Sequence, residues 1–155
     1  MNLSTSTRYA IRLLFELREP GPPVATAYLA EQTGIALKTM EKIHATMKRS
    51  GFTDGTVGMK GGIFLLVPLT EISLGQIVEL FDEGIRFGVC YGNKANECPN
   101  QHCCDISSAW GKISRLVQEG LNSISLWSIL QEYSEDSCPF PKRLSFAQLE
   151  GKARK

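Results

Sequence analysis

The stretch from Thr26 to Gly62, TAYLAEQTGIALKTMEKIHATMKRSGFTDGTVGMKGG, decides how this chain folds. Thr26 is placed to cap a short helix through Gln32, and Gly34, a residue type that accepts positive φ, closes it. After a brief turn, Leu37, Met40, Ile43, His44 and Met47 recur at helical spacing and form one apolar face. Lys38, Thr39, Glu41, Lys42, Ala45, Thr46, Lys48 and Arg49 fall on the other face, and Ser50 and Gly51 end the helix. Two strand-like runs follow, Phe52 to Val57 and Ile63 to Val67, joined by Gly58, Met59, Lys60, Gly61 and Gly62. A lysine-rich helix standing alone would be a solvated surface. Here the order is helix, glycine turn, basic helix and glycine-tipped hairpin, the plan of a winged helix-turn-helix whose second helix enters the major groove of duplex DNA. Lys38, Thr39 and Lys42 occupy its first turns, within reach of base edges and phosphates, while Lys48 and Arg49 are placed to hold the flanking backbone. Lys60 on the wing supplies a phosphate contact, and Gly61 permits close approach of the backbone.

Working outward, Ser4, Thr5 and Thr7 offer capping oxygens ahead of Ala10, Leu13, Leu14 and Leu17, the stripe of a first helix that ends before Pro20. The segment from Pro20 to Pro23 reads as a loop. Beyond the hairpin, Ser73 and Gln76 form a capping-box pattern for a fourth helix that fades near Gly84 to Gly88. Asp105 is placed to cap a long helix in which Ile106, Ala109, Trp110, Ile113, Leu116, Val117 and Leu121 make a narrow apolar seam suited to another helix. The segment Ile72 to Ile77, ISLGQI, is echoed by Ile124 to Ile129, ISLWSI. The reading is a mainly α fold with a small β-hairpin wing: a winged helix-turn-helix over residues 1–84, a cysteine-rich loop over 85–104, a dimerisation helix and return helix over 105–133, and a flexible tail over 134–155.

Composition agrees with this plan. A chain of 155 residues with a formal charge of +1 fits one ordinary compact domain, and its basic residues gather between Lys38 and Lys60. No run approaches the roughly 20 apolar residues of a membrane span. The opening MNLSTSTRYA has no basic-then-apolar leader, so a cytoplasmic, reducing location is expected, where disulfides are disfavoured. The only two histidines, His44 and His102, fall on the packed helix and in the cysteine loop without a positioned serine or carboxylate, so no enzymatic activity is expected.

The loop carries four of the five cysteines, Cys90, Cys98, Cys103 and Cys104, beside His102. Thiolates crowded on a glycine- and asparagine-bearing loop in a reducing compartment hold metal. Zinc could take Cys90, Cys98 and Cys104 with Cys103 or His102, and an iron-sulfur cluster, 2Fe-2S or 4Fe-4S, could use the same soft donors. A reversible thiol switch is a third reading, and a zinc-stabilised protein-interaction module a fourth. Cys138 stands apart beside Pro139 and reads as a lone thiol.

The residues Arg8-Tyr9-Ala10, Leu29-Ala30-Glu31, Gly34-Ile35, Met40-Glu41-Lys42-Ile43, Gly61-Gly62 and Ile72 to Ile77, with Cys90, Cys98, Cys104, Trp110 and Ile124 to Ile129, resemble the bacterial IscR and NsrR type of winged-helix regulators over most of Met1 to Tyr133. The resemblance implies a homodimer crossed through the long helix, a cluster held by Cys90, Cys98 and Cys104, and promoter binding that responds to cluster state. It departs from the family's pattern in four places. Seven residues separate Cys90 from Cys98, a longer interval than usual in the family, and Ser107 and Arg8 stand where some members place a histidine or acidic fourth ligand. The fourth ligand is thereby left among Cys103, His102, Asp105, a partner-chain residue or a small molecule. Val57 stands nearest in register to an arginine common in the family's wing.

Overall fold

The computed structural model describes residues 3–58, 60–82 and 104–132. Within them, α1 (Thr5–Leu17), α2 (Thr26–Thr33) and α3 (Leu37–Arg49) precede an antiparallel hairpin of β1 (Thr53–Thr56) and β2 (Gly62–Leu65). Then come α4 (Leu74–Asp82), α5 (Ser107–Asn122) and α6 (Leu126–Glu132). This is the mainly α fold with a β-hairpin wing that the pattern predicts, with strands shorter than the apolar runs that announce them.

The core forms around α1. Ala10, Leu13, Leu14 and Leu17 recur on one face and are buried against Leu29 of α2, Met40, Ile43 and Met47 of α3, Ile63 and Leu65 of β2, and Ile77 of α4. Each such leucine stabilises the fold by about 1.5–3 kcal/mol through removal of apolar surface from water. Ser4 caps α1, its hydroxyl accepting the Thr7 N–H at 3.1 Å. The helix ends at Arg18, whose φ of 59° stops the α-helical run.

Several local expectations are corrected. Thr26 is the first helical residue of α2 rather than its cap; Ala25 occupies the cap position without a side-chain hydrogen bond. Asp105 likewise does not cap α5; Ile106 stands at the N-cap, and the Ser107 hydroxyl instead donates to the Cys104 carbonyl at 2.8 Å. Leu37 lies at the exposed start of α3, 47% accessible, because no neighbouring element covers that corner. The loop before α2 is not wholly irregular, since Val24 exchanges both backbone hydrogen bonds with Ile63 at 2.8 Å and forms a one-residue third rung of the wing sheet. Gly62 makes this possible: a Cβ there would collide with the Val24 carbonyl.

The capping box at the start of α4 forms as read, with the Ser73 N–H donating to Gln76 Oε1 at 2.8 Å and the Gln76 N–H to Ser73 Oγ at 3.2 Å. The echoed segment pairs with its counterpart. Ser73 and Ser125 form an antiparallel bridge flanked by Leu74 N–H to Ile124 O and Leu126 N–H to Ile72 O, both 2.8 Å. Leu126 is thereby buried in the core, and α6 docks on the winged-helix unit. Helix α5 packs on α4, where Gly75 lies so close to Asn122 that a Cβ would overlap its side-chain amide. The rest of α5 is open: Ser114 is its one buried residue, and Ile113 and Leu116 are exposed, Leu116 at 66%.

Candidate nucleic-acid interface

The turn between α2 and α3 is built by three residues. Gly34 takes φ 68°, Thr33 is wholly buried with its hydroxyl donating to the Leu29 carbonyl at 2.6 Å, and the Ile35 N–H reaches Thr33 Oγ1 at 3.4 Å. Ile35 then drops into the core beside Met40. Thr33 is a residue that sequence reasoning missed, since a threonine inside a helix carries no signal until its back-bond to the preceding turn is seen.

With Met40, Ile43 and Met47 anchoring the inner face of α3, the outer face is fixed by periodicity. Lys38, Lys42 and Arg49 are exposed and fall within one stripe of α3, while the exposed Lys48 and the half-buried Thr39 flank that stripe on opposite sides. The two basic residues of the last turn are engaged locally. Lys48 forms a salt bridge with Asp54 of β1. Arg49 donates to the Ala45 carbonyl and to Thr46 Oγ1, both at 3.3 Å, and so lies along its own helix. Lys38 and Lys42 are exposed in the first turns of α3, beside the exposed Leu37.

The wing rises beside this face. Its strands pair Thr53 with Leu65 and Thr56 with Gly62, and the tip closes where the Gly61 N–H donates to the Gly58 carbonyl at 2.9 Å. Gly58 has φ 121°, and a Cβ on Gly61 would strike the Thr56 carbonyl, so both tip positions favour glycine. Val57 and Lys60 are exposed on either side of the tip.

His44 couples the helix to the wing. Its ring lies against Gly55, where a Cβ would sit 2.9 Å from His44 Cε1, and among the described residues its buried Nε2 has no hydrogen-bond partner. Burial lowers its pKa most, Lys48 adds to that, and the Asp54 backbone and carboxylate oppose it without reversing the net fall. The imidazole is therefore held neutral. Asp54 is kept below the usual carboxylate range by the hydrogen bond from Lys48 and then by the Gly55 N–H.

Of the cysteines singled out in the loop, Cys90, Cys98 and Cys103, with His102, lie outside the described residues, as does Cys138. Cys104 is described as a half-buried free thiol directly ahead of α5, its carbonyl held by the Ser107 hydroxyl. Asp82 closes the other side of the segment: it is the last residue of α4, and its Oδ2 accepts the Ser4 N–H at 3.1 Å. Among the described residues no helix is long and apolar enough to cross a membrane.

A family model described as "Rrf2: Iron-dependent Transcriptional regulator" matches residues 3–132. The chain is 27% identical to the protein rrf2 of Nitratidesulfovibrio vulgaris over 141 residues, covering 90% of this chain and 92% of that one. It is 25% identical to the HTH-type transcriptional regulator IscR of Vibrio atlanticus, covering 85% of this chain and 76% of that one. Among solved structures, the oxidized form of Staphylococcus aureus CymR superposes with a TM-score of 0.62 at 25% identity, covering 87% and 99% of the two chains. The T. potens IscR structure superposes with a TM-score of 0.64 at 22% identity, covering 91% and 94%, and shares the fold. The wing, the buried turn and the basic helix lie inside the matched span, and the chain belongs to the Rrf2 family of winged-helix transcriptional regulators.

Proposed function

We propose that the chain is a homodimeric promoter-binding regulator whose affinity for DNA follows the state of an iron-sulfur cluster held by Cys90, Cys98 and Cys104. The observation that carries the DNA-binding part is the placement of Lys38, Thr39 and Lys42 on the exposed front of a helix whose back is locked into the core, with Lys60 and Gly61 on the adjacent wing. Lys38, Thr39 and Lys42 read base edges and phosphates. Lys60 and Gly61 hold the flanking backbone, and Lys48 and Arg49 join them by exchanging their local partners, Asp54 and the Ala45 carbonyl, for phosphate. The exposed Ile113 and Leu116 of α5 supply an apolar seam for the second protomer.

The iron-sulfur part rests on the donor chemistry and on similarity to proteins described as iron-dependent or as IscR. Cys104, a half-buried thiol fixed at the head of α5, fits a thiolate ligand for iron or zinc. A bound cluster would supply a redox- or iron-sensitive link between the two ends of the segment. The chain's own part is mechanical: Asp82 ties one end to α1, and Ser107 orders the other at α5. A thiol-switched reading is favoured by one specific likeness, that to CymR in its oxidized form, and the same cysteines would then act without metal.

Purification without oxygen, followed by visible absorption and assay of iron and sulfide, separates these readings. Colour with sulfide, lost in Cys98→Ala and Cys104→Ala and kept in Cys138→Ala, is expected of a cluster; zinc without colour, or no metal at all, goes against it. Lys48→Ala should weaken binding to all sequences and lower the salt dependence by about one counterion, and Lys42→Ala should instead blur sequence preference. Unchanged binding across a salt series would remove α3 from the interface.

A further inference from the structure

The end of α1 and the turn at Pro68 to Thr70 face α6 across a cleft of about 290 Å³, lined by Arg18, Glu19, Pro20, Pro68, Thr70 and Trp127. Trp127 is seated there through its backbone N–H, which donates to the Leu69 carbonyl at 3.2 Å. Arg18 has φ 59° and ψ −58°, and the Glu19 N–H donates to the Leu17 carbonyl at 2.7 Å. That is a three-residue turn of a kind a residue with a side chain adopts at a cost, held only where the surroundings enforce it. Arg18 and Glu19, consecutive residues of opposite charge, both line this cleft together with proline, leucine, threonine and tryptophan residues.

Small-ligand sites are apolar clefts with a few placed polar groups, and their volumes begin at about 300 Å³. This cleft therefore suits a single small molecule rather than a nucleotide or a cofactor. Opposite charges on consecutive lining residues, with an indole in the same cleft, match a zwitterion with an apolar body, since guanidinium pairs with carboxylate in a fixed geometry and a carboxylate accepts from ammonium. We propose that the cleft is an effector site for a free α-amino acid with an apolar or aromatic side chain. Its carboxylate meets Arg18, its ammonium meets Glu19, and its side chain packs on Trp127. The cleft lies where α6 meets the winged-helix unit, so occupancy strengthens the hold between α5–α6 and the DNA-binding face and alters promoter affinity.

Titration calorimetry of the full chain with L-phenylalanine, 2-phenylethylamine and 3-phenylpropionate tests this. The zwitterion should bind, and each analogue should bind about tenfold more weakly, the loss expected for one charged hydrogen bond at a partly solvated site. Arg18→Gln should weaken L-phenylalanine and 3-phenylpropionate but leave 2-phenylethylamine unchanged; Glu19→Gln should do the reverse for the two analogues. Cys104→Ser should bind L-phenylalanine like the parent, which separates this site from the cysteine segment. Arg18 and Glu19 are exposed, so their variants should fold. No binding of L-phenylalanine, equal binding of all three compounds, or binding indifferent to both variants would overturn the site. A promoter affinity unchanged by saturating L-phenylalanine would overturn its effector role.

Discussion

The carboxylate of Asp82 accepts the Thr7 hydroxyl at 2.7 Å, so the residue just ahead of the cysteine segment is fastened to the first turn of α1. Burial opposes ionisation of Asp82 most, but hydrogen bonds from Ser4 and Thr7 outweigh it and the pKa falls below the usual range. A carboxylate with a depressed folded pKa contributes stability above its unfolded pKa of about 3.9, and that contribution is lost as the pH drops through the lower folded value. Asp82→Ala should therefore cost about 1 kcal/mol at pH 7 in urea unfolding. The gap from the parent should close as the pH is lowered through the acid range. A constant gap would assign the loss to packing instead.

His44 gives a pH response in a different window. Its folded pKa is lowered, chiefly by burial, so its contribution is present above the unfolded value of about 6.5 and declines as the pH falls toward the folded value. The His44 ring resonances should titrate with a midpoint below that of a free histidine. His44→Gln should flatten the stability profile just below neutrality. A midpoint at or above the free value would contradict the buried position between α3 and Gly55.

Gly75 sets the approach of α4 to α5. Because an added Cβ would lie 2.9 Å from the Asn122 backbone nitrogen as well as overlapping its side chain, Gly75→Ala should destabilise the fold by about 1–3 kcal/mol. Gly120, whose Cβ would meet nothing, is the control: Gly120→Ala should be neutral or stabilising, by up to about 1 kcal/mol of helix propensity. Thermal melts of the two variants should diverge in sign or in size.

The exposed seam of α5 predicts assembly. In the proposed homodimer, Leu116→Asp places a charge where the second protomer would bury the leucine, and sedimentation should show the parent as a dimer and the variant as a monomer at the same concentration. Circular dichroism should be retained, since Leu116 makes no part of the described core. An unchanged dimer would move the interface elsewhere.

What the sequence disclosed was local, and what it hid was the pairing of distant segments. Helix α1, the inner face of α3 and the Ser73–Gln76 box follow from spacings of three and four residues, so they could be read directly. The same periodicity put Leu37 inside, because spacing says which face a residue shares but not whether anything covers that end of the helix. Thr26 and Asp105 show the limit of capping patterns, where one residue of displacement changes the role. The exposed basic residues of α3 were legible from charge placement and helical spacing. Thr33, the Val24–Ile63 rung and the contact of His44 with Gly55 were not, since each depends on a neighbour that only the folded chain supplies. Nor does any sequence rule assign a positive φ to Arg18.

The bridge between Ser73 and Ser125 bears on how this segment can change over evolutionary time. It joins positions on either side of the cysteine stretch through backbone bonds that ignore what lies between them. The entropic cost of closing a flexible loop grows only logarithmically with its length, about 0.6 kcal/mol for each doubling. Changing the number of residues between α4 and α5 should therefore cost the bridged scaffold only a small closure entropy, because its own hydrogen bonds are made outside that stretch.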